Sequence, residues 1–185
     1  MKKEFLQNLP ELKITNGYEI LLPTNFPSIE EKILWTYAQQ VSQLIDQLGN
    51  NHMFPVLPEK AMERFRKQMS VLLVTGNSVV GHISYFPWLQ NNNPVGFEVG
   101  SLVVAEGHQG KNFGKILVAQ MGDYLRSLNT GLPIISVVVE DNLPSINVFT
   151  RLGWRAITHQ QSIELFQGVD ILDEWPYPSK IFICP

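Results

Sequence analysis

The chain has 185 residues, 44% of them hydrophobic and 17% charged, which fits one folded globular domain and argues against disorder. A net charge of −3 gives no basic footprint for nucleic acid. The single cysteine, Cys184, excludes an internal disulfide and a multi-cysteine zinc site.

The start, MKKEFLQNLPELK, has lysines but no apolar stretch behind them, so no signal peptide is expected. No run approaches the ~18 apolar residues of a membrane span. A soluble cytoplasmic protein with no membrane partner is the default. Tyr18–Leu22 predicts a short first strand. PTNFPSIEEKILW then opens a helix, with Ser28 and Glu31 at capping-box spacing. Ile33, Leu34, Tyr37, Val41, Leu44, Ile45 and Leu48 follow at helical period, and Gly49 ends the run. MFPVLPEKAMERFRKQ predicts a loop and a second, shorter helix. Val71–Thr75 and Val79–Phe86 flank a Gly76-Asn77 turn and predict a hairpin. WLQNNNPV is expected to be a polar loop, and Phe97–Val104 another strand.

From Phe113 to Leu128 the apolar residues Phe113, Ile116, Leu117, Met121, Tyr124, Leu125 and Leu128 share one helical face. Ile134–Val139 is a continuous β-branched run, as expected of a strand buried on both faces. Pro144 to Leu152 predicts a short helix that Gly153 stops. Trp154–Thr158 and Lys180–Cys184 are strand candidates. The order β-α-α-β-β-β-α-β-α-β, with one strand in a tail, predicts a single α/β domain over residues 1–185 whose sheet mixes directions.

HQGKNFGKIL, residues 108–117, lies between a strand and an amphipathic helix. Unpaired N–H groups and the helix dipole favour an anion there, and Gly110, Gly114, Lys111 and Lys115 suit a phosphate or pyrophosphate. The P-loop spacing is not met, because Ile116 stands where a Ser or Thr would hold Mg²⁺, and GxGxxG is absent. A plain glycine-bearing turn stays open as the alternative. His52, His82, His108 and His159 are scattered without metal-ligand spacing, so no metal is expected.

LVVAEGHQGKNFGKILVAQM resembles the acyl-CoA-binding segment of the GNAT superfamily of N-acetyltransferases, whose signature is Q/R-x-x-G-x-G/A. Gln109 and Gly114 match it, and Asn112 replaces the first signature glycine. VVVEDNLPSINVFTRLGWRAI resembles the family's N-x-x-A-x-x-x-Y-x-x-x-G-F segment, with Asn142, Ser145, Phe149, Gly153 and Trp154 in those positions. The resemblance covers residues 71–158; residues 1–70 and the tail, 159–185, match only in element order.

The resemblance implies a GNAT-like fold, with a mixed, mostly antiparallel sheet of about six or seven strands flanked by helices. It implies acetyl-CoA as cosubstrate in a gap between Phe97–Val104 and Ile134–Val139. Leu102, Val103 and Val104 would hold the pantetheine arm. Gln109, Gly110, Lys111, Asn112, Phe113, Gly114 and Lys115 would take the pyrophosphate. Asn142 and Ser145 would lie at the CoA arm. An amine acceptor, a small molecule or a protein amine, would attack the thioester directly in a ternary complex.

Phe149 replaces the tyrosine that often serves the family as acid, so no side-chain acid is expected at that position. Glu98 lies eleven residues before Gln109 (109 − 98 = 11), the offset of the glutamate base in the family's protein-lysine acetyltransferases. An otherwise apolar strand could raise its pKa, and a solvent-facing strand carboxylate is the alternative. The competing function is a weak or non-catalytic acyl-CoA-binding domain of the same fold. A monomer and a homodimer are both compatible with the sequence.

Overall fold

The β-branched and amphipathic runs build one seven-stranded sheet with helices on both faces, in a computed structural model that describes residues 17–48, 53–173 and 175–185. The strands are β1 (Tyr18–Leu21), β2 (Ser70–Thr75), β3 (Ser78–Gln90), β4 (Asn93–Val104), β5 (Ile134–Val139), β6 (Arg155–Ile157) and β7 (Ser179–Ile183). Their spatial order is β1-β2-β3-β4-β5-β7-β6. Only β4 and β5 run parallel; every other neighbouring pair is antiparallel. The mixed, mostly antiparallel sheet is the one expected.

Helices α1 (Glu31–Leu48) and α2 (Pro58–Arg66) cover one face. Helices α3 (Phe113–Ser127) and α4 (Leu143–Arg151) cover the other. The α1 stripe Leu34, Tyr37, Val41, Leu44 and Ile45 is buried against Leu72 and Val74 of β2. The α3 stripe Ile116, Leu117, Met121 and Leu125 meets Val71, Leu73 and Val99. Burying each such side chain contributes roughly 1.5–3 kcal/mol, far more than helix propensity does. Ile33 and Leu128, assigned to these stripes by periodicity, are exposed at the helix ends.

Three local expectations are corrected. WLQNNNPV is not a loop: β3 runs to Gln90 and β4 begins at Asn93. Asn91 and Asn92, at φ 51° and 64°, join them in the doubly left-handed turn whose twist matches a tight hairpin. The Ser28–Glu31 box does not form. Pro23–Ser28 coils as a 3-10 helix, Ser28 Oγ donates to the Asn25 carbonyl, and α1 begins at Glu31. A helix the periodicity did not suggest, α5 (His159–Leu165), is capped by Thr158, whose hydroxyl accepts from Gln161 N while Gln161 Oε1 accepts from Thr158 N. Phe166, just beyond it, lies so close to Gly96 that an added Cβ would stand 2.5 Å from its ring, which packs the tail onto β4. Gly49, His52 and the N-terminal MKKEFLQNLPELK lie outside the described residues.

Candidate active site

Strands β4 and β5 pair at only two positions, Phe97 with Ile134 and Glu98 with Ile135, and then part. A bulge in β4 accompanies the parting. His82 faces Val103 and Ser84 faces Gly100, so two steps on β3 oppose three on β4. Ser101 within the bulge has φ 54°, and such an extra residue bends and twists its strand.

His82 anchors the bulge from below. Its Nδ1 lies 3.1 Å from the Ser101 carbonyl, which only accepts, so Nδ1 carries the proton. Its Nε2 then accepts from Ser84 Oγ at 2.9 Å, and Ser70 Oγ lies 2.9 Å from Ser84 Oγ. All three side chains are fully buried. Burial, with a smaller effect from the Arg64 charge, lowers the imidazole pKa to about 3, so the ring is neutral.

The period of two along β3 divides Tyr85, Phe86 and Trp88 between its two faces. Tyr85 turns toward α3, with Phe97 and Tyr124 ring centroids at 5.6 and 6.2 Å. Phe86 and Trp88 face the α2 side with Glu98, to which Phe86 is paired across the strands. A cavity of about 290 Å³ opens there, between the parting strands. Glu98, Gly100, Phe86, Ser136 and Phe149 line it, with Phe54 and Trp175 as outer wall. Trp88 Nε1 donates to Glu98 Oε2 at 3.0 Å. Burial pushes the Glu98 carboxyl up to about 7 against the lowering effect of that bond. The carboxylate therefore faces a cavity and not open solvent.

A second cavity of about 620 Å³ lies at the start of α3. It shares Leu102, Asn142 and Ser145 with the first, so the two adjoin along β4. Val103, Val104, Gln109, Gly110, Phe113 and Lys115 line it. Asn112 sits at the N-cap of α3 in the left-handed conformation, φ 63° and ψ 12°. Asparagine accepts that backbone where most residues would be strained, so the loop turns without the glycine. The Asn112 side chain does not cap the helix, so the first N–H groups of α3 stay available to an anion. Gln109 Nε2 donates to the Val104 carbonyl at 2.9 Å and ties the loop to the strand. A Cβ at Gly114 would touch Val148 at 3.4 Å, so this glycine serves the approach of α4. Lys111 and His108 both reach the Tyr18 hydroxyl, at 3.2 and 2.8 Å.

Asn142 caps α4, with Oδ1 accepting from Ser145 N at 3.2 Å. Phe149 is buried among Trp154 and Phe182, with ring centroids at 4.9 and 5.9 Å. Its ring reaches the cavity edge with no proton to give.

A family model for the acetyltransferase (GNAT) family matches residues 34–154. The chain belongs to the GNAT acetyltransferase family. No curated protein matches its sequence. Among solved structures the chain is similar to yncA of Salmonella typhimurium, solved with acetyl-CoA, at 14% identity and a TM-score of 0.62, covering 91% of this chain and 92% of that one. It is similar to the ribosomal-protein-S5-alanine acetyltransferase of Vibrio fischeri, at 15% identity and 0.61, covering 91% and 92%. It is also similar to Naa50 of Arabidopsis thaliana, solved with a bisubstrate analogue, at 16% identity and 0.59, covering 92% and 99%. At these identities the likeness is one of fold.

Within this GNAT fold, the residues named from sequence collect around the two adjoining cavities. Lys111 turns instead toward Tyr18, and Asn142 spends its carbonyl oxygen on the helix cap. Three contributors have no individual role from sequence alone, although Trp88 belongs to the aromatic run Tyr85–Trp88, a candidate for the substrate mouth or for core packing, and Arg64 to the stretch MFPVLPEKAMERF, a candidate to close over the acceptor. Trp88 stands two residues from Phe86, the spacing that puts both on one strand face. His82 sits in an apolar strand with small serines at matching positions. Arg64 is a charge one turn from Ala61 on an otherwise apolar helix face, and it lines the Glu98 cavity.

Proposed function

We propose that the protein transfers the acetyl group of acetyl-CoA directly to a primary amine in a ternary complex. Glu98 carries the proposal: a carboxyl raised to about 7 lines the cavity where β4 and β5 part. The backbone of Leu102, Val103 and Val104 holds the pantetheine arm, and the α3 N-terminus with Gly110, Asn112, Gly114 and Lys115 takes the pyrophosphate. Asn142 and Ser145 flank the junction between the two cavities. Acetyl-CoA supplies the thioester.

The Glu98 pKa suits the proton transfer. An aliphatic ammonium titrates near 10, so giving its proton to an ordinary carboxylate is uphill by about 8 kcal/mol. A carboxylate at about 7 reduces that to about 4 kcal/mol. Desolvation of the ammonium in the cavity narrows it further. Glu98 takes the proton, the amine nitrogen bonds to the acetyl carbon, and the carbon–sulfur bond breaks. The sulfur departs as thiolate, because Phe149 offers no acid, and backbone N–H groups or water stabilise it. The second nitrogen proton leaves as the amide forms and passes to the thiolate or to water.

The test is thiol release from acetyl-CoA across a panel of primary amines, with mass detection of the acetylated product. Amine-dependent release is expected. CoA binding with no transfer to any amine would instead support a non-catalytic acyl-CoA-binding domain, a reading that the Phe149 ring favours.

A further inference from the structure

The Glu98 cavity also contains a guanidinium whose Nη1 meets no acceptor among the described residues, while the neighbouring Glu63 carboxylate is bonded to Lys60 and Lys67. Arg64 enters it from α2. The neighbours Ala61, Met62 and Phe65 are buried in the core, so the helix cannot roll to carry Arg64 into solvent. The guanidinium carbon stands 4.7 Å from the centroid of the Phe86 ring, which lines the same cavity and fixes the side chain by cation–π attraction. Arg64 Nη1 is shielded from water and makes no hydrogen bond among the described residues. The more exposed Arg66 and Arg126 each reach a carboxylate, Glu31 and Asp123. Leaving a buried donor unpaired is costly, and more so for a charged group. The chain keeps that cost where an acceptor must enter.

We propose that Arg64 receives an anionic group of the acceptor, and that the acceptor is a small amine bearing a carboxylate, such as a free amino acid. This rests on the cavity being the acceptor site of the proposed reaction. A guanidinium fork pairs with a carboxylate through two parallel hydrogen bonds, and Glu98, bonded to Trp88, is not that partner. A polyamine would bring a second cation beside the guanidinium and is disfavoured. Phe54 and Trp175, edge to face at 5.6 Å, offer an apolar wall for the rest of the acceptor.

The experiment pairs each amino acid of a panel with its decarboxylated amine and its amide. Dipeptides and phosphoethanolamine are added. Binding to the protein–CoA complex is measured by calorimetry and turnover by thiol release, in wild type, Arg64→Gln and Arg64→Lys. At least one amino acid is expected to exceed its amine and amide by about tenfold or more, an advantage that Arg64→Gln removes and Arg64→Lys keeps in part. Equal or better amines in wild type, or an advantage that Arg64→Gln leaves intact, would overturn the proposal. The wild-type comparison stands even if a variant fails to fold. A preference for dipeptides or for phosphoethanolamine would overturn the assignment to a small carboxylated amine. Carboxylate-selective binding without any turnover would sink the transferase reading and leave Arg64 as the anion site. Turnover without carboxylate preference would do the reverse.

Discussion

Trp88 Nε1 donates to Glu98 Oε2 at 3.0 Å across the β3–β4 pair, so one strand steadies the ionised form of a carboxyl that burial on the other strand opposes. Removing the donor removes only the steadying half. Trp88→Phe is expected to move the pH limb of kcat/KM upward by about one unit, the size of a hydrogen bond to a charged group. A pH profile checks it. A limb that stays in place would separate the indole from the titration.

Glu98 and His82 also set opposing pH slopes on stability. The Glu98 carboxyl is raised from 4.5 to about 7, so the fold holds more protons than the unfolded chain in that window and its contribution falls as pH rises through it. His82 is lowered from 6.5 to about 3, so its contribution is present above pH 6.5 and is lost as pH falls toward 3. The two slopes oppose each other where their windows overlap. Glu98→Gln is therefore expected to be more acid-sensitive than wild type relative to its own neutral stability, measured by denaturant titration at several pH values. Parallel curves for the two proteins would contradict this.

His82 matters for the site through Ser101. His82→Ala leaves the Ser70 and Ser84 hydroxyls only each other and frees the Ser101 carbonyl, at a cost of roughly 1–3 kcal/mol in unfolding free energy. The bulge then relaxes, and the KM for acetyl-CoA is expected to rise more than kcat falls. His82→Asn, which keeps a donor near Nδ1, should recover part of that KM. Equal KM in all three proteins would show that the bulge needs no anchor.

Phe149→Tyr introduces a hydroxyl at the cavity edge, in a position packed by Trp154 and Phe182. If thiolate departure limits the rate, kcat rises by part of the ~10²-fold that a positioned acid contributes, with a modest loss of thermal stability. Unchanged turnover in a folded variant would place the slow step elsewhere.

The sheet and the two main helices were legible because their cores obey period two and period 3.6 over long runs. Tertiary relations were less so. WLQNNNPV looked like a loop because its polar residues sit on an exposed hairpin end, where burial leaves no periodic signature. Asn91-Asn92 was the available turn signal. Gln109, Asn112 and Asn142 were found through segments of fixed spacing, in which local backbone geometry does the chemistry. The Glu98 surroundings come instead from Arg64, Trp88 and Trp175, contributed by a helix, a strand and the tail. No local pattern joins residues so far apart in the chain.

The most direct measurement is the pH dependence of kcat/KM for amine-dependent thiol release by wild type and Glu98→Gln, beside CoA binding by both. Wild type should show activity rising with pH through about 7 as Glu98 ionises. Glu98→Gln should lose that limb and at least ~10²-fold in kcat/KM while binding CoA as before. Wild-type rate and pH profile retained in Glu98→Gln would contradict the assignment of Glu98 as the base.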